Sequence, residues 1–296
     1  MIMDSIEKAL VFDGQVKVVA FKTTDLVNEA IKLHSLSPLA AEALGKVLTM
    51  AAYMSNELKG DKEKLSVQVT DKGVLGNIIV AADAGAKVRG YVQNQDATLP
   101  PLGNGKQDLF KGIGSDGFIT VIKDLGLKDP YVGKTELVRG NLEEDFAWYF
   151  TRSEGSPTAL ALDVTIGEDG TCVSAGGVLV QPMPNCPEHI LVVVEDIVSN
   201  FANIGEVLRA KEPSDILKDY FGHFQIEYFP PTKPEYRCKC SVEQMANAVI
   251  TLGRADSVNL LMERGEIEIT CHFCGKKYVF GKQDVIDIWR RYDNKL

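Results

Sequence analysis

The chain has 296 residues, 45% of them hydrophobic and 25% charged, enough apolar material for one large core or two smaller ones, which argues against intrinsic disorder. Its net charge of -9 leaves no overall positive field to draw in phosphate backbones or anionic lipid. Apolar runs such as Ile190 to Val194 fall far short of the ~20 residues that cross a bilayer, and the first residues lack a leader pattern, so a soluble cytoplasmic protein is expected.

From residue 1 to 184 the pattern predicts an α+β core domain. Strand candidates are Val16 to Lys22, Leu65 to Thr70, Gly76 to Ala82, Val88 to Gln93, Phe118 to Lys123, Thr135 to Val138, Ala161 to Ile166 and Val173 to Val180, punctuated by Gly, Asp and Asn. Ser37 followed by Pro38 reads as a helix start, and the apolar run through Leu39, Leu44, Val47, Leu48 and Met54 is expected to stop at Gly60. Asn141 with Glu144 three residues on opens a second helix. Helices and hairpins interleaved in this way suggest a mixed sheet-and-helix core.

Residues 185–232 read as an amphipathic helical linker. After Pro187, the residues Ile190, Val193, Val194, Ile197, Phe201, Ile204 and Leu208 recur as a single stripe of one helix. Beyond Pro213 follow Tyr220, Phe221, Phe224, Tyr228 and Phe229, then Pro230, Pro231 and Pro234. The segment is too apolar to float in water, so it is expected to pack on the core, and that packing to be conditional.

Residues 233–296 form a small C-terminal domain with eleven basic and nine acidic residues. It holds Cys238-Lys-Cys240 and, after thirty residues, Cys271-His-Phe-Cys274-Gly. Four soft thiolates in two close pairs suit one tetrahedral Zn2+ per chain, and Gly275 fits a tight turn at the second pair. Ser241 with Gln244 predicts a helix to about Leu252. A second helix is expected over Asp256 to Arg264, then strands at Glu266 to Thr270 and Lys277 to Phe280. A core of about sixty residues gains only ~3 to 5 kcal/mol, whereas structural zinc supplies ~10 to 16 kcal/mol, so the domain should unfold without metal. Four sulfurs saturate the ion and leave no place for an activated water, which speaks against an enzyme. The Cys-x-Cys spacing is unusual for a purely structural site, and a disulfide across it would be strained and easily reduced. Metal-bound thiolate is the form that peroxide or hypochlorite attacks, which points to a reversible redox switch.

The sequence resembles the redox-regulated zinc holdase chaperones of the heat-shock protein 33 group over almost its whole length. The resemblance is carried by Phe12-Asp13-Gly14, Arg89-Gly90-Tyr91-Val92-Gln93, the run from Thr120 to Leu127, Ala175-Gly176-Gly177, Gln181-Pro182-Met183-Pro184 and both cysteine pairs. It implies an ATP-independent chaperone, inactive when reduced and zinc-loaded, with Cys238, Cys240, Cys271 and Cys274 as metal ligands and redox thiols. Oxidation would form the disulfides Cys238 to Cys240 and Cys271 to Cys274, release zinc and unfold the C-terminal domain and linker. The expected partners are unfolded or oxidatively damaged proteins and, for the oxidised form, a second copy; the linker stripe is the expected client-binding face.

Other signals carry less. Gly112-Ile113-Gly114-Ser115-Asp116-Gly117 matches a dinucleotide-loop pattern by letter but leads into a strand, so it is a turn. Gly133-Lys134-Thr135 lacks the glycine spacing of a phosphate loop. Cys172 and Cys186 are expected to be free thiols, and His272 an exposed spacer. The rival reading is a zinc-ribbon nucleic-acid module with Phe273 and Tyr278 as exposed aromatics. The acidic chain and the lack of a basic stripe make nucleic acid a poor partner. A thioredoxin-like oxidoreductase would need the Cys271 to Cys274 pair at a helix start, not between strands.

Overall fold

The structure, a computed structural model, describes residues 3–103, 106–138, 140–201 and 203–294. The chain divides into two compact units, Met1–Arg237 and Cys238–Leu296. In chain order the first unit holds β1 (Ser5–Val11), β2 (Val16–Lys22), α1 (Thr24–His34), α2 (Pro38–Asn56), β3 (Lys64–Thr70), β4 (Ile78–Asp83), β5 (Lys87–Val92), α3 (Leu109–Ile113), β6 (Phe118–Asp124) and β7 (Tyr131–Glu136). It continues with α4 (Leu142–Ser153), β8 (Ala159–Ile166), β9 (Cys172–Pro182), α5 (Glu188–Ser199), α6 (Ile204–Ala210), α7 (Pro213–Phe221), β10 (Ile226–Tyr228) and β11 (Glu235–Tyr236). The expected α+β class is what the structure shows.

Two sheets organise this unit, in the orders β10-β1-β2-β9-β8 and β11-β5-β4-β3-β6-β7. Between them runs α2, buried along nearly its whole length. Only a helix apolar on all sides can occupy that place, and the run Leu39, Leu44, Val47, Leu48 with Ala40, Ala43, Ala51 and Ala52 supplies one. Ser37 caps it by accepting from Ala40 N at 3.2 Å, with Pro38 in the first turn. The helix ends at Asn56, one turn short of the expected Gly60.

Alternation along β2 and β9 sorts side chains to two cores. Val19, Phe21 and Leu179 face α2, whereas Val16, Val18, Ala20, Val178 and Val180 face outward. The outward face is covered by α5, α6 and α7, through Val194, Phe201, Ile204, Leu208, Ile216, Leu217 and Phe221. Both faces of the sheet are therefore buried, which explains why β9 reads as a continuous apolar run.

Two expectations need correction here. The stripe from Ile190 to Leu208 is not one helix: α5 stops at Ser199 and α6 begins at Ile204. Asn200 turns its side chain back to Asp196 O at 2.8 Å, and Asn203 takes a left-handed φ of 63°, which asparagine tolerates better than most residues. The break lets Phe201 drop into the core, edge to face against Tyr220 at 4.9 Å. The last strand of the second sheet is Tyr131–Glu136, not Thr135 to Val138. Val138 leaves the ladder because its N–H donates to Asp145 Oδ1 at 2.6 Å.

The second unit comprises α8 (Val242–Leu252), α9 (Arg254–Arg264), β12 (Glu266–Thr270), β13 (Lys277–Gly281) and α10 (Lys282–Asp293). Strands β12 and β13 pair antiparallel, Glu266 opposite Gly281 through Thr270 opposite Lys277. The buried core is small: Val249, Ile267, Cys271, Tyr278, Phe280, Val285 and Ile288. No helix among the described residues is long and apolar enough to cross a membrane.

Candidate metal centre and the helical strap

Local sequence places each cysteine. Cys238 and Cys240 end the extended entry to α8, whose first turn is capped by Ser241 Oγ accepting from Gln244 N at 3.3 Å. Cys271 and Cys274 lie in the turn between β12 and β13. There Cys271 N donates to Lys276 O at 2.9 Å, and Cys271 O accepts from Cys274 N at 3.3 Å and Gly275 N at 2.8 Å. Gly275 sits at a φ of 69°, the left-handed conformation that the expected tight turn requires.

The four sulfurs converge. All lie within 4.8 Å of one another, with Cys238 Sγ 3.7 Å from Cys271 Sγ and Cys240 Sγ 3.5 Å from Cys274 Sγ. All four cysteines are free thiols, as are Cys172 and Cys186. Sulfurs at ~2.3 Å around a tetrahedral zinc stand about 3.8 Å apart, so the quartet is spaced as such an ion needs. His272 is exposed and outside the cluster.

The surroundings of the sulfurs differ. Burial pushes the Cys238 thiol well up and the Cys274 thiol up. Burial also acts upward on Cys240, but the Tyr278 hydroxyl, which donates to its Sγ at 3.1 Å, and the neighbouring thiols outweigh it and bring Cys240 down to about 7. Tyr278 is thus buried and bonded to a sulfur, not the exposed aromatic that the nucleic-acid reading assumed, and Phe273 is half-buried. The role of Tyr278 was not legible in the sequence, because it depends on the register of β13 against β12. Burial raises the Cys172 thiol to about 12, the state of an inert core cysteine.

The linker stripe is mostly covered. Val194, Phe201, Ile204 and Leu208 are buried, Ile190 and Ile197 are half-buried against the same cluster, and Val193 is 37% exposed. Two residues of the first sheet that sequence reasoning missed, buried Lys22 and half-buried Asp163, hold α6 at its ends. Lys22 Nζ, buried on β2, donates to Leu208 O at 2.5 Å near the helix C-terminus. The Asp163 carboxylate on β8 lies against Gly205 in the first turn, so that a Cβ there would have to displace it. A cation at the C-terminus and an anion at the N-terminus both favour the helix dipole.

Comparisons with known proteins agree on one family. The sequence profile of the family described as Hsp33 protein matches residues 4–281. The chain is 35% identical over 292 residues to the 33 kDa chaperonin of Caldanaerobacter subterraneus subsp. tengcongensis, covering 98% of this chain and 99% of the relative. It is 37% identical over 290 residues to the 33 kDa chaperonin of Clostridium botulinum (strain Langeland), covering 98% of each. The crystal structure of the 33 kDa chaperonin (heat shock protein 33 homolog) from Thermotoga maritima superposes with a TM-score of 0.89 at 30% identity, over 98% of this chain and 99% of that one.

Proposed function

The chain belongs to the Hsp33 family of chaperones, and on that premise we propose that it is a redox-regulated, ATP-independent holdase, held inactive by zinc on Cys238, Cys240, Cys271 and Cys274. The single observation that carries this reading is the all-sulfur quartet, four thiols within 4.8 Å of one another on two distant pieces of chain. Zinc, when bound, keeps these sulfurs in the thiolate form and ties the entry of α8 to the β12–β13 turn. Four protein ligands fill a tetrahedral shell, so these residues activate no water and the protein is not a metallohydrolase.

Oxidation acts on the residues themselves. A thiolate attacks peroxide to give a sulfenic acid and hydroxide. A neighbouring thiolate then displaces a second hydroxide to form the disulfide, two electrons passing to the oxidant for each bond. The pairs are Cys238 with Cys240 and Cys271 with Cys274. Sulfurs bonded to each other no longer hold the metal, and the small core of the second unit does not keep its fold alone.

The clients are unfolded or oxidatively damaged proteins in the cytoplasm, and the face offered to them is the stripe Ile190, Val193, Val194, Ile197, Phe201, Ile204 and Leu208. Each large apolar residue freed from burial exposes surface worth roughly 1.5 to 3 kcal/mol. The oxidised form pairs with a second copy. The domains that act in this scheme are a core of residues 1–184, a linker of 185–232 and a redox domain of 233–296.

The test is suppression of aggregation of a chemically denatured model protein, before and after peroxide with mild heating, with zinc release followed by a chromophoric chelator. Activity should appear with zinc release; oxidation without gain of activity contradicts the reading. Ile197→Ser with Phe201→Ser should strip most activity from the oxidised protein, and full activity in that variant removes the stripe as the client face.

A further inference from the structure

Strand β8 forms one edge of the five-stranded sheet, and a cavity of about 370 Å³ opens beside it, walled also by α2, the loop into α3 and the start of α4. Cavities of roughly 300 to 1,000 Å³ are the usual size for small-molecule sites. The outer backbone of β8 is taken up at Leu162, whose N–H donates to the Glu143 carboxylate. One pair further on, Ala175 of β9 stands opposite Val164, but its N–H goes to Thr24 Oγ1 at 3.1 Å and its C=O accepts from Thr23 N at 2.9 Å. Bonded and non-bonded pairs alternate along an antiparallel ladder, so Val164 turns its N–H and C=O away from β9, on the side where the cavity lies. Among the described residues nothing bonds to either group.

Lys46 and Glu42, one turn apart on α2, line the same cavity with side chains only 11% and 16% exposed. Their charged atoms stand 3.9 Å apart, beyond hydrogen-bond distance, and among the described residues neither makes a hydrogen bond. A charge withdrawn from water without hydrogen bonds is costly, and at a cavity wall it is relieved by whatever polar molecule fills the space. Asp163, which accepts from Thr165 Oγ1 at 2.7 Å, adds a second carboxylate to the wall, and Lys106 a second ammonium. Asp108 is already paired with Lys111 at 2.9 Å. Two charges of each sign remain, which suits neither a phosphate-like anion nor a simple cation but a molecule that carries both.

We propose that this cavity binds a free α-amino acid with an apolar side chain. The ligand carboxylate meets the Lys46 ammonium and the Val164 N–H. The ligand ammonium meets the Val164 C=O and the carboxylates of Glu42 and Asp163, much as the main chain of one more strand would pair with the edge. Because the protein's opposite charges are 3.9 Å apart, the ligand's must be a few ångströms apart as well. An ammonium and a carboxylate on one carbon meet that condition, whereas those at the two ends of an extended chain do not. Leu102 and Phe110, 44% and 55% exposed, supply the apolar wall on which the ligand side chain rests. All these residues lie within Met1–Arg237, and none belongs to the cysteine quartet or to the apolar stripe.

A nuclear magnetic resonance titration of the full reduced, zinc-loaded chain tests the site with three probes: L-leucine, 4-methylpentanoate, which is leucine without its ammonium, and 3-methylbutylamine, which is leucine without its carboxylate. Leucine should shift the amides of Lys46, Phe110 and Val164 saturably, with a dissociation constant at or below about 1 mM. Each truncated probe leaves a buried charge unpaired and should bind at least about tenfold more weakly. Lys46→Met should weaken leucine by at least about tenfold without weakening 3-methylbutylamine. Either truncated probe binding as tightly as leucine would overturn the proposal. So would shifts scattered over the surface, or no saturable shift with L-leucine or L-phenylalanine up to about 10 mM. The comparison of probes on the wild type decides the matter whether or not the variant folds.

Discussion

Replacing Leu208 with alanine perturbs the strap where its docking is most concentrated. Leu208 is 0% exposed and packs with Val178, Val180, Ile204 and Leu217 on the outer face of the first sheet. The helix that carries it has seven residues and no side-chain N-cap, too few to stand alone in water. Its place therefore rests on Ile204, Leu208 and the contacts of Lys22 and Asp163 at its ends. Truncating a fully buried leucine costs about 2 to 5 kcal/mol, which multiplies the undocked population by a factor of about 30 to 4,000. Amide hydrogen exchange on the reduced protein reads this directly. Protection at Val207, Leu208 and Lys211 should fall by at least about 30-fold while Val67 and Val80 in the other sheet keep theirs. The reduced variant should also suppress aggregation of a denatured model protein without oxidant. Equal loss of protection at Val67 would show that α6 opens only with the whole unit. Local opening with no gain of holdase activity would refute the stripe as the surface that binds clients.

Two further outcomes test the electrostatics. Burial raises the Glu42 carboxyl from 4.5 to about 7, helped by Asp163 and opposed by Lys46 at 3.9 Å. Between pH 4.5 and about 7 the folded state holds a proton that the unfolded chain releases, so stability falls as pH rises through that window, by up to about 1.4 kcal/mol per pH unit. Glu42→Gln stays neutral and should flatten that slope in urea titrations at pH 5 and 7.5; an unchanged slope contradicts the assignment. Tyr278→Phe removes the hydroxyl that donates to Cys240 Sγ at 3.1 Å, and zinc retention against a competing chelator should fall by about 10- to 100-fold, the usual effect of losing such a partner. Wild-type retention in that variant would mean that the bond does not orient the ligand.

What the sequence discloses depends on how local the cause is. The cysteine pairs, Gly275 and the Ser241 cap act within a few residues of one another, and all were legible. Helix α2 announced itself through Ser37-Pro38 and an unbroken apolar run. Helix α1 did not, because its first turn is capped from a distance: Asp4 accepts from Asp25 N and Leu26 N at 3.0 and 2.8 Å, and Thr23 caps nothing. Burial lifts that Asp4 carboxyl to about 6. Helix α10 hid behind its charges, since only Val285 and Ile288 are fully buried while the rest of its surface is polar or half-exposed. The stripe predicted from the 3.6-residue period placed the right side chains on the core but missed the break at Asn200 and Asn203, which the burial of Phe201 requires. Lys22, Asp163 and Tyr278 could not be found from spacing, because each acts on a residue that only the tertiary fold brings near.

On the proposed function, metal held by Cys238, Cys240, Cys271 and Cys274 supplies most of the cohesion of the second unit. Amide exchange of β12 and β13, measured under reducing conditions before and after a strong chelator, tests it most directly. Ile267, Ile269 and Phe280 should lose essentially all protection on chelation while Val67 in the first unit keeps its own, and added zinc should restore it. Slow exchange in β12 and β13 after complete removal of metal would contradict it.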